Sequence, residues 1–176
     1  MKYTFCITLL FVVFGVQLTN AQEIPIQGGK YPNPGLKKLA GTWVSIQGTD
    51  TLKIKFNFEN IKLPIMDLTA DVLVGYVQYQ KGNQTVIDDI KYSYQTYNNS
   101  SNEGKRRTFI FGLNEYDGYI SGGLPDGYTS QSFKYRFTPS TDLKTLTAVY
   151  QVNWERVYVN EKQGEGYPRK MVFKRE

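Results

Sequence analysis

The chain has 176 residues, one cysteine, no histidine and a formal net charge of +5, from 21 lysines and arginines against 16 acids. This length fits a single domain. The lack of histidine excludes a Ser-His-Asp triad, a Cys-His dyad, an H-E-x-x-H zinc helix and a C2H2 finger, and leaves only oxygen ligands for a metal. We expect no metal site and no cofactor.

Residues 1–21 have the layout of a secretory signal peptide. Lys2 gives a basic start, residues 5–16 form an almost uninterrupted apolar run, and cleavage is expected after Ala21. This apolar run is too short for a transmembrane helix, which needs about 20 apolar residues to span a bilayer. We therefore expect an exported protein, periplasmic or extracellular, with no transmembrane span in its mature chain. Cleavage also removes Cys6, so no disulfide is expected.

Residues 22–40 are predicted to form a leader before the domain. A glycine pair and two prolines disfavour regular structure over most of this stretch. Asn33 followed by Pro34 is typical of a helix start, and a single helical turn is predicted over residues 36–39. No other helix is expected.

Beyond residue 41 apolar and polar residues alternate with period two. Leu52, Ile54, Phe56 and Phe58 alternate with lysine and asparagine, which is typical of a half-buried strand. Turns rich in Gly, Asn and Asp separate such segments. The segment 72–80 is apolar on both faces at its start, and 143–158 is expected to be bent or broken. The predicted strands are 43–47, 52–58, 72–80, 84–88, 91–97, 108–113, 119–122, 132–138, 143–158 and 171–175.

Many short strands without crossover helices indicate an all-β fold over residues 41–176. Such a meander closes into a barrel or folds into a sandwich, because open edges promote aggregation. Hairpin-length links favour up-and-down order. We predict an antiparallel up-and-down β-barrel of about 8–10 strands, preceded by the short helical turn.

A Gly-Thr-Trp sequence at residues 41–43 opens the first strand, and the last strand ends on Arg175. This pairing resembles the lipocalin and wider calycin pattern, G-x-W at the first strand with a basic residue near the last. The resemblance implies a lipocalin-like eight-stranded barrel in which Trp43 plugs the closed end and Arg175 lies across its ring. Strand alternation agrees, since Arg175 points inward if Phe173 does. Gly41, Trp43 and Arg175 are therefore expected to close the barrel structurally.

A longer part of the chain, from Leu39 to the C-terminus, is similar to uncharacterised secreted proteins of Bacteroidetes-type bacteria. That group has no assigned activity, so the similarity implies no reaction or ligand. The matching segments are residues 39–43, 50–54, 73–76 and 168–173.

Aromatic residues are the most informative feature, with 2 Trp, 14 Tyr and 10 Phe. Many alternate within the predicted strands, so each set faces either the lumen or the outside. A lumen lined with rings can bind a small apolar or aromatic molecule, which tyrosine hydroxyls would orient. The predicted lumen residues are Phe56, Phe58, Tyr76, Tyr94, Phe111, Tyr135, Tyr150 and Trp154.

The same rings allow a second interpretation. Side chains alone fill a barrel of about eight strands, so the interior can be dry. The protein would then be a non-enzymatic cell-surface or periplasmic interaction module that binds protein or glycan through exposed aromatic loops. A cavity of about 300 Å3 or more favours the small-molecule binder, and a solid core favours the module.

Residues 133–137 interleave two cations with three rings, and residues 105–107 add three more cations. Proteins that bind single-stranded nucleic acid have this composition. The net charge is small, however, and an exported protein seldom meets nucleic acid. We interpret the segment as a strand with an aromatic inner face and a solvated basic outer face, and expect no nucleic-acid partner.

Carboxylate pairs are the remaining route to catalysis. Asp88 and Asp89 point to opposite faces of a strand and cannot share a substrate. Glu115 and Asp117 can share a face, but they lie in a predicted hairpin turn. Because no acid has an obvious partner that would raise its pKa, we expect that the protein is not an enzyme.

Overall fold

Strands make up most of the structure, a computed structural model that describes residues 28–63, 67–96, 109–111, 118–125, 132–151 and 167–176. They form one mixed, strongly curled sheet, an open half-barrel. Within these ranges, 3-10 helices accompany the sheet at Pro34–Leu39 and Ile90–Tyr92. The strands are β1 Lys30–Tyr31, β2 Gly41–Gln47, β3 Asp50–Leu63, β4 Leu68–Lys81, β5 Gln84–Asp88, β6 Phe109–Phe111, β7 Ile120–Pro125, β8 Ser132–Pro139, β9 Thr145–Tyr150 and β10 Lys170–Arg175.

The strand order is β1-β4-β3-β2-β10-β9-β8-β7, and β5 and β6 also pair with β4. The first long strand, β2, therefore lies beside the last, β10, so the two ends of the domain meet in the sheet. The expectation of a purely antiparallel sheet is wrong at β1, which runs parallel to β4. The leader extends along β4 there, and the amide of Thr69 donates to the carbonyl of Gly29 at 3.0 Å.

The predicted helical turn is present as the 3-10 helix Pro34–Leu39, with proline at its start. Most predicted strands within the described residues are present, and β3 and β4 are longer than expected. The exception is 91–97, where Ile90–Tyr92 is a 3-10 helix, against the expectation of no further helix. Side chains of the sheet bind carbonyls of this segment in place of a strand ladder. Parts of the predicted strands, such as residues 152–158, lie outside the described residues.

The inner face of the sheet carries the main core, built largely from aromatic rings. Trp43, Phe137 and Phe173 have no exposed surface, and Phe56 is 1% exposed. The rings of Phe56 and Phe137 meet edge to face at 6.3 Å, and those of Phe137 and Phe173 lie 6.0 Å apart. Each buried ring contributes about 2–3 kcal/mol to the free energy of unfolding, because folding removes its apolar surface from water.

A second, smaller core lies on the outer face of β3 and β4. Val72, Val74 and Tyr76 are completely buried there, and Tyr31 and Tyr92 pack against them. β4 is thus buried on both faces, as the apolar start of its sequence indicated. No helix within the described ranges is long and apolar enough to cross a membrane.

Trp43 and Arg175 join β2 to β10 at the end of the sheet where β2 begins. The indole Nε1 donates to the carbonyl of Leu39 at 2.9 Å, and the guanidinium carbon of Arg175 lies 5.3 Å from the indole centroid. Arg175 Nη2 also donates to the carbonyl of Ala40 at 2.6 Å. The 3-10 helix and the last strand are therefore held by the same two side chains.

Gly41 begins β2 directly beside this contact, with φ at +126°. We predict that Gly41→Ala lowers the free energy of unfolding by about 1–3 kcal/mol, because a side chain is strained at this φ. Crowding is not the cause, since an added Cβ would lie 3.5 Å from Arg175 Nη2, an ordinary contact. Urea unfolding measures the change, and a loss below about 0.5 kcal/mol would contradict the strain.

We predict that Trp43→Ala lowers the free energy of unfolding by about 3–5 kcal/mol, because it empties a fully buried site. Ile46→Ala, in the same strand, is the matched control. Ile46 is 69% exposed, so its truncation should change the free energy by less than about 0.5 kcal/mol. Urea denaturation of both variants tests this, and a Trp43→Ala loss under about 1 kcal/mol would show that Trp43 does not stabilise the junction of β2 with β10.

Candidate functional site

An open groove of about 370 Å3 lies between the middle of β3 and the segment that follows the second 3-10 helix. Its volume is within the range of small-molecule sites. Aromatic rings and polar side chains both face it. The lining residues are Ala40, Phe56, Asn57, Phe58, Glu59, Tyr94, Gln95 and Thr96.

The groove exists because β3 is longer than its neighbour β2. Gly41, the first residue of β2, pairs with Phe56, so β3 continues past the start of β2. Phe58 lies just beyond this point, half-buried against the main core. Beyond Phe56, no strand of the described part of the chain pairs with this edge of β3.

Side chains of the sheet hold the other wall of the groove in place. Asn57 Nδ2 donates to the carbonyl of Ser93 at 2.7 Å, and the Tyr76 hydroxyl donates to the carbonyl of Gln95 at 2.9 Å. Gln95 Nε2 in turn donates to the Tyr94 hydroxyl at 2.9 Å. These contacts fix residues 93–95 across β3.

The groove combines ring surface with polar groups. Phe58 and Tyr94 offer apolar surface, and Glu59 on β3 and Gln95 on the facing segment add carboxylate and amide oxygens to the lining. Such a lining suits a small molecule with a flat or apolar body and a hydrogen-bond donor.

Three of the predicted lumen residues, Phe56, Phe58 and Tyr94, line this groove together. Tyr94 is nevertheless 78% exposed, and it does not lie on the inner face of a strand. Its placement in the lumen is corrected, because the predicted strand at 91–97 is a 3-10 helix followed by a turn.

Tyr76 is also misplaced by the prediction. It is completely buried, but in the core on the outer face of the sheet. The inner face of β4 carries Leu73, Val77 and Tyr79, so Tyr76 has the opposite parity. The two faces of β4 are both apolar, and alternation alone therefore gave no signal of which one faces inward.

Tyr135 and Tyr150 belong to a second group of rings on the inner face, with centroids 5.6 Å apart. Phe133 lies 6.2 Å from both Tyr150 and Tyr167, and Tyr79 lies 4.9 Å from Tyr167. The prediction did not include Phe133, Tyr79 or Tyr167. Phe133 lies two residues before Tyr135, so strand alternation could have placed it on the same inner face.

Phe111 lies in β6, where it pairs with Leu73 of β4. Its side chain and all of Trp154 are outside the described residues. Gly41, Trp43 and Arg175, the predicted closing residues, meet as described above. Within the described ranges no group of three or more Asp, Glu, His or Cys side chains could hold a metal ion.

The Tyr135 hydroxyl is held inside the second ring group. It donates to the carbonyls of Tyr167 at 3.3 Å and Pro168 at 3.0 Å. Burial raises the pKa of this hydroxyl far above its usual range, and the nearby Tyr150 and Tyr79 raise the pKa further. The hydroxyl is therefore a neutral hydrogen-bond donor that ties the start of the last segment to β8.

A model for a family of unknown function (DUF6705) covers residues 1–154, most of the chain. The chain belongs to the DUF6705 family. No curated protein and no solved structure matches it. This membership confirms the predicted similarity to uncharacterised proteins. It assigns no activity.

We predict that the stability of this DUF6705 protein falls above pH 10 partly because of Tyr135. Its pKa is raised in the folded state, so the unfolded chain loses the proton first, near pH 10. The contribution of the Tyr135 hydroxyl to the free energy of unfolding is fully present below pH 10 and is lost as the pH rises above 10. Between pH 9 and pH 11 the wild type should lose about 1 kcal/mol more than Tyr135→Phe. Equal losses in urea unfolding would contradict this assignment.

Proposed function

We propose that this DUF6705 chain is an exported, non-enzymatic binding protein that takes a small apolar or aromatic molecule in the groove beside β3. The groove carries the proposal, because its volume and its mixture of rings and polar groups suit such a ligand. The predicted signal peptide supports export to the periplasm or the outside of the cell.

The proposal includes a lipocalin-like closed barrel. β6 pairs with β4 and lies within contact distance of β7, the far end of the strand order. A ring of β2, β3, β4, β6, β7, β8, β9 and β10 would have eight strands. The contact of Trp43 with Arg175 agrees with the G-x-W pattern that suggested this fold.

The ligand is expected at the rim and not deep in the lumen. Phe56, Tyr135 and Phe137 on the inner face are each at most 1% exposed, and their rings contact one another or neighbouring rings. Little surface on these residues is left for a ligand. Phe58 and Tyr94 at the groove retain accessible surface.

The ligand should carry a hydrogen-bond donor. Glu59 on β3 and Gln95 on the facing segment contribute acceptor oxygens, and Phe58 and Tyr94 offer rings. Indole and an isoprenoid alcohol such as farnesol have these properties. Palmitate has an apolar body of suitable size, but its ionised carboxylate accepts hydrogen bonds and has no hydrogen to donate.

We predict that native mass spectrometry of the protein purified from its own cell envelope detects a bound small molecule. In titrations, indole or farnesol should bind more tightly than palmitate. Tyr94→Ala and Phe58→Ala should each weaken binding about tenfold, since each removes a ring contact. Ile46→Ala removes an exposed apolar side chain on another face and should leave binding unchanged.

The interaction module remains a second candidate, and the filled inner face favours it. Its partner, a protein or glycan, would use exposed rings such as Tyr94, which is 78% exposed. No bound molecule in native mass spectra, together with no binding of indole or farnesol, would overturn the small-molecule proposal and leave this module.

A further inference from the structure

Five adjacent strands, β3, β2, β10, β9 and β8, present a strongly basic outer face. Its cations stand on alternate strands, because β2 and β9 contain no charged residue. Along β10 and β8 the outward residues are exposed and alternate with buried ones. The six cations on this face are Lys53, Lys55, Lys134, Arg136, Lys170 and Lys174.

Few carboxylates offset these cations. Within the described residues, Glu176 at the border pairs with Lys53 at 3.0 Å. At the turn between β8 and β9, Asp142 lies 3.9 Å from Lys144. The remaining lysines of the face have no carboxylate at ion-pair distance in the described part of the chain. A large part of the net charge of +5 is thus concentrated on one surface.

Exposed apolar side chains lie in the middle of the same face. Ile46 on β2 is 69% exposed, Val172 on β10 is 47% exposed and Val149 on β9 is 41% exposed. Lys174 pairs with Val44, so continuing this register by two residues puts Val172 beside Ile46. Val149 pairs with Lys170, which lies two residues before Val172 on the same face of β10. The three side chains form a short apolar strip with lysines beside it.

We propose that this face docks on an anionic lipid surface. An apolar strip flanked by cations has the composition of interfacial membrane-binding surfaces, in which apolar side chains enter the headgroup region and lysines bind anionic lipids. The outer face of a curled sheet is convex, so the central strip reaches the bilayer first. Long lysine side chains on the flanking strands extend to the headgroups and bridge the curvature.

Other occupants fit this face less well. A second copy of the chain would bring like charges together. Single-stranded nucleic acid binds by stacking bases on aromatic rings, and none of the outward residues on these strands is aromatic. An acidic polysaccharide could use the cations but not the apolar strip. The proposal does not depend on the groove or its ligand.

Co-sedimentation with vesicles tests the proposal. The protein should bind vesicles of phosphatidylglycerol and phosphatidylcholine but not vesicles of phosphatidylcholine alone. Raising the salt from about 0.05 M to about 0.5 M should weaken binding at least tenfold by screening the charges. This wild-type comparison needs no variant and remains informative whatever the variants do.

Matched variants locate the binding surface. The combination Lys134→Gln, Lys170→Gln and Lys174→Gln should weaken binding to the anionic vesicles about 100-fold. The control, Lys37→Gln, Lys38→Gln and Lys81→Gln, removes the same charge from exposed lysines elsewhere and should change binding less than threefold. All variants share one N-terminus, so any contribution from the apolar residues 5–16 is common to them.

The apolar strip is tested separately by Ile46→Thr combined with Val172→Thr, which keeps β-branched residues in the strands. This pair should weaken vesicle binding about tenfold without changing net charge. Equal binding to neutral and anionic vesicles, or equal losses in the two lysine sets, would overturn the proposal. Binding to polygalacturonate that is unaffected by the Thr pair, with no vesicle binding, would also overturn it in favour of an acidic polymer.

Discussion

The contact between Trp43 and Arg175 is the constraint on which the rest of the sheet depends. β2 joins the β3–β4 pair to the strands β10, β9, β8 and β7. Its ladder with β10 covers two residue pairs, against seven with β3. A junction this short needs support from side chains. The buried indole, the guanidinium over it and their hydrogen bonds to Leu39 and Ala40 provide that support.

This junction also positions the groove. Because β2 begins at Gly41, the edge of β3 beyond Phe56 is open. The 3-10 helix, held through Leu39 to the indole, ends beside that edge. The groove is thus formed where two strands of unequal length separate, and its position follows from where the tryptophan fixes the start of β2.

Period-two alternation predicted most of the described strands because each of those strands has one buried face. It was also sufficient to select Phe56, Phe58 and Tyr135, which lie on or beside the inner face. Where both faces of a strand are buried, alternation does not show which face points inward. Tyr76 was assigned to the wrong side of β4 for this reason. Local pattern is therefore reliable for a half-buried strand and ambiguous for a doubly buried one.

Contacts between distant parts of the chain account for the remaining differences. The segment at 91–97 has strand-like composition, but Asn57 and Tyr76 bind its carbonyls, and it forms a 3-10 helix and turn. The parallel pairing of β1 likewise depends on where the leader meets β4. The polar lining of the groove brings together Glu59 and Gln95, which are far apart in sequence, so only the aromatic lining was predictable.

In this account the two proposed surfaces have separate roles. We propose that the basic outer face holds the protein at an anionic lipid surface and that the groove takes a small molecule of the kind that partitions near lipids. The groove lies at the edge of β3 beyond Phe56, and the basic face covers β3, β2, β10, β9 and β8. Both surfaces depend on the junction of β2 with β10, because β2 and β10 form the centre of the basic face and β2 sets the edge of the groove.

A double-mutant cycle between Trp43 and Arg175 tests this dependence most directly. Trp43→Phe, Arg175→Met and the double variant are compared by urea unfolding, so that the coupling of the two side chains is separated from their individual burial. The account predicts a coupling free energy of about 1 kcal/mol, as for a guanidinium over an indole. Additive effects, with a coupling below about 0.2 kcal/mol, would contradict the claim that this pair holds the two parts of the sheet together.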